Sequence, residues 1–239
     1  MCWGETASWA MVAAGAAATV HTAQRGDPPA VPVAFGYFTV MEALQGVGYQ
    51  VVDACGAPLN QAVTYLSILH IVFQPLVINA FAMALVPPVG RVMQAAVFAL
   101  SALASTVMLL QLYPFDWAGP CTPGASLCGE RLCTVSGDWH IAWDVPYNGL
   151  LSGFEAWSGW AVGFPSYMLA VFGLPLLYGA WRFVLFHALA GPLLASALTS
   201  NPNEMPAIWC LFSIGLLAIA YSPWLRARLV LPGGWGQPA

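Results

Sequence analysis

The sequence has no lysine, and only 7% of its 239 residues are charged. A soluble domain carries about 25% charged residues. Six arginines and ten carboxylates cannot wet the surface of a globule of this size. A bilayer removes that requirement, because its core solvates apolar side chains. The net charge of -4 and the lack of a basic stripe exclude nucleic acid as a partner. Also missing are a Gly-rich phosphate loop, a His-Glu-x-x-His pair and a Gly-x-Ser-x-Gly turn, so no soluble-enzyme signature is present. There is no internal repeat and no low-complexity tract. The first residues lack a basic stretch ahead of the apolar run, so a cleavable signal peptide is not expected.

What is present is 59% hydrophobic. A spanning helix needs roughly 20 apolar residues. Seven segments qualify, near residues 6–23, 31–52, 60–86, 92–113, 164–180, 183–198 and 206–224. Breakers punctuate them: Pro28-Pro29, Pro87-Pro88 and Pro114. The fifth and sixth are separated only by Trp181-Arg182. Fused, they would reach roughly 50 Å at 1.5 Å per residue, too long for one crossing of a core about 30 Å thick. Two helices with a tight turn are expected, with a re-entrant 183–198 as the alternative. The expected fold is all-α: one membrane domain over residues 1–239, with seven transmembrane helices. A lysine Schiff base to retinal, the linkage of seven-helix microbial rhodopsins, is excluded by composition.

Arginine sets the orientation. Arg25, Arg91, Arg182, Arg226 and Arg228 fall on one side and Arg131 alone on the other. The arginine-rich side is expected to be cytoplasmic, which places the N-terminus outside, the C-terminus in the cytoplasm and the protein in a bacterial inner membrane. Cys2, Cys55, Cys121, Cys128 and Cys133 then share the outer, oxidising side. A disulfide within the outer loop, residues 114–163, is expected, with Cys55 as a further partner. A zinc site made by these cysteines with His140 is the alternative. Cys210, in the seventh segment, reads as a small buried hydrophobe.

An ionisable residue inside a spanning helix is a functional candidate by default. Glu42 lies roughly 16 Å in from the inner end of the second segment, and His70 roughly 15 Å in from the outer end of the third. The two are expected to meet near the midplane. Gln45, Gln74 and Asn79 extend this polar edge, and Pro75 frees a backbone carbonyl beside it. The cluster reads as a site for a metal, a proton or a small ligand, or as a hydrogen-bonded pair that pins two helices. His21 and His187, at the inner ends of their segments, are candidates for a shared haem or metal site. Residues 138–144 read as a short interfacial helix with Trp139 and Trp143 on one face. In that helix His140 and Asp144 stand at i and i+4, where they would form an oriented base or a helix-stabilising pair. Glu204, at the mouth of the seventh segment, suits a helix N-terminus and faces the same side.

Four short motifs, Met1-Cys2-Trp3, Met41-Glu42-Ala43, Phe73-Gln74-Pro75 and Ile208-Trp209-Cys210, together resemble an uncharacterised family of polytopic membrane proteins. That resemblance implies a topology and no activity. The stretch from Glu204 to Trp209, following Phe186-His187, resembles the alkaline ceramidase group of seven-helix zinc hydrolases. It implies zinc-assisted hydrolysis of a lipid. The seventh segment lacks the two further histidines of that group, and Phe183 stands where the group has a serine. The residues point to a membrane-embedded binding protein or metal-dependent lipid hydrolase built on Glu42 and His70. A non-catalytic subunit or assembly factor, with other membrane proteins as partners, is the competing expectation.

Overall fold

A computed structural model describes residues 4–158, 163–210 and 212–236. Met1, Cys2 and Trp3, which carry one of the motifs above, lie outside the described residues. The chain is mostly helical, and four helices are long and apolar enough to cross a membrane.

The first half is a run of four helices, each packed against the one before it. They are α1 (Glu5–Gln24), α2 (Ala30–Gln50), α3 (Pro58–Ala84) and α4 (Arg91–Leu112). Proline pairs follow α1 and α3, Pro114 follows α4, and residues 51–57 link α2 to α3 without a proline; such short links make neighbours antiparallel. Pro75 sits inside α3 and removes one backbone donor. Polar side chains gather around that break. The Ser105 hydroxyl of α4 donates to the Val72 carbonyl at 2.7 Å. The Asn79 amide donates to the carbonyls of Pro75 and Ala170, at 2.9 and 3.0 Å, and accepts from the Tyr178 hydroxyl at 2.8 Å. Asn79 is therefore a strut between α3 and the later helices.

The loop after α4 holds a β-hairpin, β1 (Cys133–Ser136) and β2 (Ile141–Asp144), which pair antiparallel with Cys133 opposite Asp144. This corrects the interfacial helix expected over residues 138–144. Thr134, Val135, Ile141 and Trp143 favour an extended backbone. Asn60 of α3 fixes β1 from its other side, accepting from the Thr134 N–H at 3.1 Å and donating to the Thr134 carbonyl at 2.9 Å. The only helix of the loop among the described residues longer than one turn is α5 (Ser152–Ser158), whose Trp157 is exposed. Disulfides join Cys55 to Cys133 and Cys121 to Cys128. The first ties the hairpin to the α2–α3 connection.

Two helices follow, α6 (Pro165–Leu177) and α7 (Trp181–Leu198). The expected split is present, but the turn is at Tyr178-Gly179-Ala180 and not at Arg182, which lies in the first turn of α7; Gly179 takes a φ of 85° that suits a residue without a Cβ. Each helix is broken by a π-turn, at Leu169–Gly173 in α6 and at Leu189–Leu193 in α7. The last segment runs through α8 (Met205–Trp209), α9 (Phe212–Tyr221) and α10 (Pro223–Leu229).

The core between these helices is built on Phe35, Phe38, Met41, Ile78, Phe81 and Phe183. Leu103, Leu169, Leu185, Leu189 and Leu193 point outward and are more than half exposed. In water each would forgo about 1.5–3 kcal/mol of burial; in lipid that cost vanishes. At the end opposite the hairpin, the Trp235 indole donates to Asp27 at 2.9 Å and lies under the guanidiniums of Arg25 and Arg226. Burial would raise the Asp27 carboxyl, but the hydrogen bonds from Arg25 and Trp235 hold it below its usual value.

Candidate functional site

His70 stands level with Tyr37, not with Glu42. Its Nε2 donates to the Tyr37 carbonyl at 2.7 Å, the Tyr37 hydroxyl donates back to the His70 carbonyl at 2.5 Å, and the rings stack with centroids 3.8 Å apart. Glu42 is five residues further along α2, about 7 Å at 1.5 Å per residue. It lies in a second crevice with Met11, Gly15, Thr39 and Leu216. The expected midplane pair is thus divided between two environments. The reason is that depth was counted inward from opposite ends of helices of unequal length, 21 and 27 residues. Gln45 also faces away from His70, with its amide directed to the Ala207 carbonyl of α8 at 3.4 Å.

From His70 a hydrogen-bonded row leads to a cavity. A neutral ring that donates at Nε2 accepts at Nδ1. The Gln74 amide N–H approaches Nδ1 at 3.4 Å, and the Gln74 carbonyl accepts from the Tyr167 hydroxyl at 2.6 Å. Gln74 and Tyr167 both line a cavity of about 210 Å³. One wall is Phe38, Ile71 and Ile78 of α2 and α3, with Tyr167 and Met168 of α6. The facing wall is His187, Pro192 and Ala195 of α7, with Trp209 of α8 and the adjacent Cys210. Ser126 and Leu127 of the outer loop, with Phe164, close the hairpin end.

The π-turns shape this space. A Cβ on Gly191 would come within 2.3 Å of the Trp209 Nε1, so only glycine lets the indole enter the bend. Trp209 donates from Nε1 to His187 Nε2 at 3.0 Å, stacks on Phe172 and meets Tyr167 edge-on. An imidazole that accepts at Nε2 is not doubly protonated, so His187 is neutral. Among the described residues, none that lines the cavity is an arginine, aspartate or glutamate. The walls are therefore uncharged, with hydrogen-bonding groups at Gln74, Tyr167, His187, Trp209 and Cys210. The Cys210 thiol donates to the Pro206 carbonyl at 3.3 Å.

His21 and His187 do not come together. His21 is exposed and stacks on Tyr221, whereas His187 is buried among Phe172, Phe183 and Trp209. Among the described residues no group of three or more His, Cys, Asp or Glu side chains is placed to hold a metal ion. The zinc-site alternative for the outer cysteines gives way to the two disulfides. The hydrolase expectation therefore finds no ligand set among the described residues.

The outer-side candidates form a structural clasp. The Glu204 carboxylate accepts the backbone N–H groups of Trp139 and His140 and the hydroxyl of Thr199. It fastens the hairpin turn to the start of α8. His140 is fully buried, with Nδ1 accepting from the Ile141 N–H at 2.8 Å, and burial pushes its pKa down to about 3. Asp144 is turned away from His140 and accepts from the Asn203 side chain at 2.7 Å. With the helix replaced by a hairpin, residues four apart lie about 13 Å from each other along extended backbone, so the i and i+4 relation no longer brings His140 beside Asp144.

Sequence reasoning found Gln74 and His187 but missed the space between them. Tyr167, Gly191 and Pro192 were passed over as ordinary helix residues, and Trp209 entered only as part of a motif. The signal was legible: Gly173-Leu174-Pro175 and Gly191-Pro192 interrupt two consecutive apolar segments.

A family model described as a family of unknown function (DUF5765) matches residues 6–230. No curated protein and no solved structure matches the chain.

Proposed function

The chain belongs to DUF5765, a family of unknown function, and we propose that it is a seven-crossing membrane protein that binds a small uncharged molecule within the bilayer. The crossings are α1, α2, α3, α4, α6, α7 and the α8–α9 segment. Support for this topology comes from both ends of the bundle. Arg25, Arg182, Arg226 and Arg228 lie at the end of the Trp235 clasp, and the disulfides and hairpin lie at the other. By the positive-inside rule the clasp is cytoplasmic. The disulfide-bearing end then faces a bacterial periplasm, where such bonds persist.

The observation that carries the binding reading is the cavity itself. An apolar cavity of about 150 Å³ takes up benzene. At about 210 Å³, this one has room for a single ring with a short substituent. Its polar groups are few and directional, as in most small-ligand sites. One amide N–H of Gln74 and an oxygen lone pair of Tyr167 are left for a ligand group that both accepts and donates, such as a hydroxyl.

Phenol is the simplest probe. A ligand that binds only the folded state at about 100 times its Kd stabilises it by about 2.7 kcal/mol. Phenol is expected to raise the thermal midpoint of the nanodisc-embedded protein. Ala195→Phe, which fills the cavity, should abolish that shift, and the milder Ala195→Val should reduce it. Equal shifts in all three proteins would place phenol elsewhere and overturn the reading.

A further inference from the structure

We infer that the ligand is a lipid with a small uncharged head, and that it enters sideways from the outer leaflet through a fork between α6 and α7. This inference rests on the binding reading above and names the class and route of the ligand.

The fork follows from how the two helices pack. Near their connecting turn, the 169–173 part of α6 contacts the 181–188 part of α7. Toward the hairpin end they take different neighbours. The outer part of α6 packs on α4, and the outer part of α7 packs on α8. The two arms part there, and Tyr167 and Met168 on one arm face the cavity opposite Pro192 and Ala195 on the other.

The lining is graded in depth. Gln74 and Tyr167 are fully or nearly fully buried, as is His187, whereas Met168 and Pro192 are half-buried. Outside them, Leu169 and Leu193 are 65% and 55% exposed. Ser126, Met205, Pro206 and Trp209 are half-buried too; the deep end carries Gln74, Tyr167 and His187, and we assign the mouth to the apolar pair Met168 and Pro192 beside the leucine-rich flank. A molecule that fits this gradient puts a polar head inward and leaves an apolar tail among lipids.

Charge narrows the class. An ionised head buried without a partner is strongly disfavoured, and the walls offer neither an arginine nor a carboxylate, with His187 neutral. Phosphate-headed and carboxylate-headed lipids do not fit. A hydroxyl on a ring or a short chain does, accepting from Gln74 and donating to Tyr167. The short α6 supports an outer-leaflet level. Its 13 residues span about 20 Å, and Phe164 and the outer loop complete that side of the cavity.

Three probes test this in nanodiscs: phenol, para-octylphenol and para-octylbenzoate, compared at equal mole fraction in the bilayer. A forked cavity accepts the octyl tail, so phenol and para-octylphenol should bind within about threefold of each other, a difference of about 0.7 kcal/mol. The benzoate should bind at least about a hundredfold more weakly, because its charge finds no partner. Gln74→Leu and Tyr167→Phe should each weaken para-octylphenol about tenfold. Leu185→Ala, on the lipid-facing side away from the mouth, should leave it unchanged. Phenol binding without para-octylphenol binding means a closed cavity: it overturns the lipid inference and leaves the binding reading standing. If no probe binds, both fall. Benzoate binding as tightly as the phenol overturns the uncharged-head assignment.

Discussion

Replacing Gly191 by alanine tests the join between the broken helix and the cavity wall. The added Cβ would lie 2.3 Å from Nε1, 2.6 Å from Cδ1 and 2.9 Å from Cε2 of Trp209. The indole has to retreat by about 1 Å to restore ordinary contacts. It is held on several sides: Phe172 and Tyr167 pack on it, and its N–H is bound to His187. Overpacking of this kind costs about 1–3 kcal/mol, and weakening the His187 hydrogen bond adds about 1 kcal/mol. Gly191→Ala should therefore destabilise by about 2–4 kcal/mol. In a Trp209→Ala background the clash is gone, and the same methyl should cost close to nothing. A double-mutant cycle by reversible SDS unfolding in mixed micelles measures both. The coupling should approach the full cost of the single Gly191 substitution. Equal costs in the two backgrounds, or a Gly191→Ala protein as stable as wild type, would refute the argument.

Three further outcomes follow. Cys55→Ser should loosen the hairpin: closing a loop over a sequence separation of 78 is worth at most about 4–5 kcal/mol, less where inserted helices already restrain the chain. Thermal unfolding of the variant against wild type, with and without reductant, checks this, and reductant should not lower the variant further through that bond. The pH dependence centres on His140, whose folded pKa lies near 3, well below the ordinary 6.5. Its contribution is fully present above pH 6.5 and is lost as pH falls from there toward 3, because the unfolded chain takes up the proton first. The slope is at most about 1.4 kcal/mol per pH unit. His140→Phe should flatten it, while Glu204, which accepts the His140 N–H, and Tyr49, whose ring packs on it, stay in place. Trp235→Ala should release the segment after α10 from Asp27 and from the Leu85 and Ala84 carbonyls that hold it. Limited proteolysis should then cut after residue 230, whereas wild type resists.

The first four helices were legible because the apolar runs are long and three of them end at proline, and their ends fall within about two residues of expectation. That residues 164–198 divide was legible from length alone, since one helix is too long for one crossing; the place of the turn was not, for it falls at Gly179 and Arg182 is helical. The hairpin was not. His140 and Asp144 at helical spacing and two tryptophans suggested a helix, while the forces that select strands there are long-range: the Cys55 disulfide, the Asn60 bonds to Thr134 and the Glu204 clasp. Gln74 was legible as an intramembrane polar group. Its partner was not, because Tyr167 lies 93 positions away and no local pattern joins them. Glu42 and His70 show how depth arithmetic fails when the helices are unequal: a shift of five residues replaces one neighbour with another.

The most direct measurement is an experimental structure in lipid at a resolution that shows bound lipids. Elongated non-protein density is expected in the cavity, its inner end within hydrogen-bond reach of Gln74 and Tyr167 and its outer end passing between Met168 and Pro192. A cavity closed by direct contact of Met168 with Pro192, or filled only by water, would contradict the account.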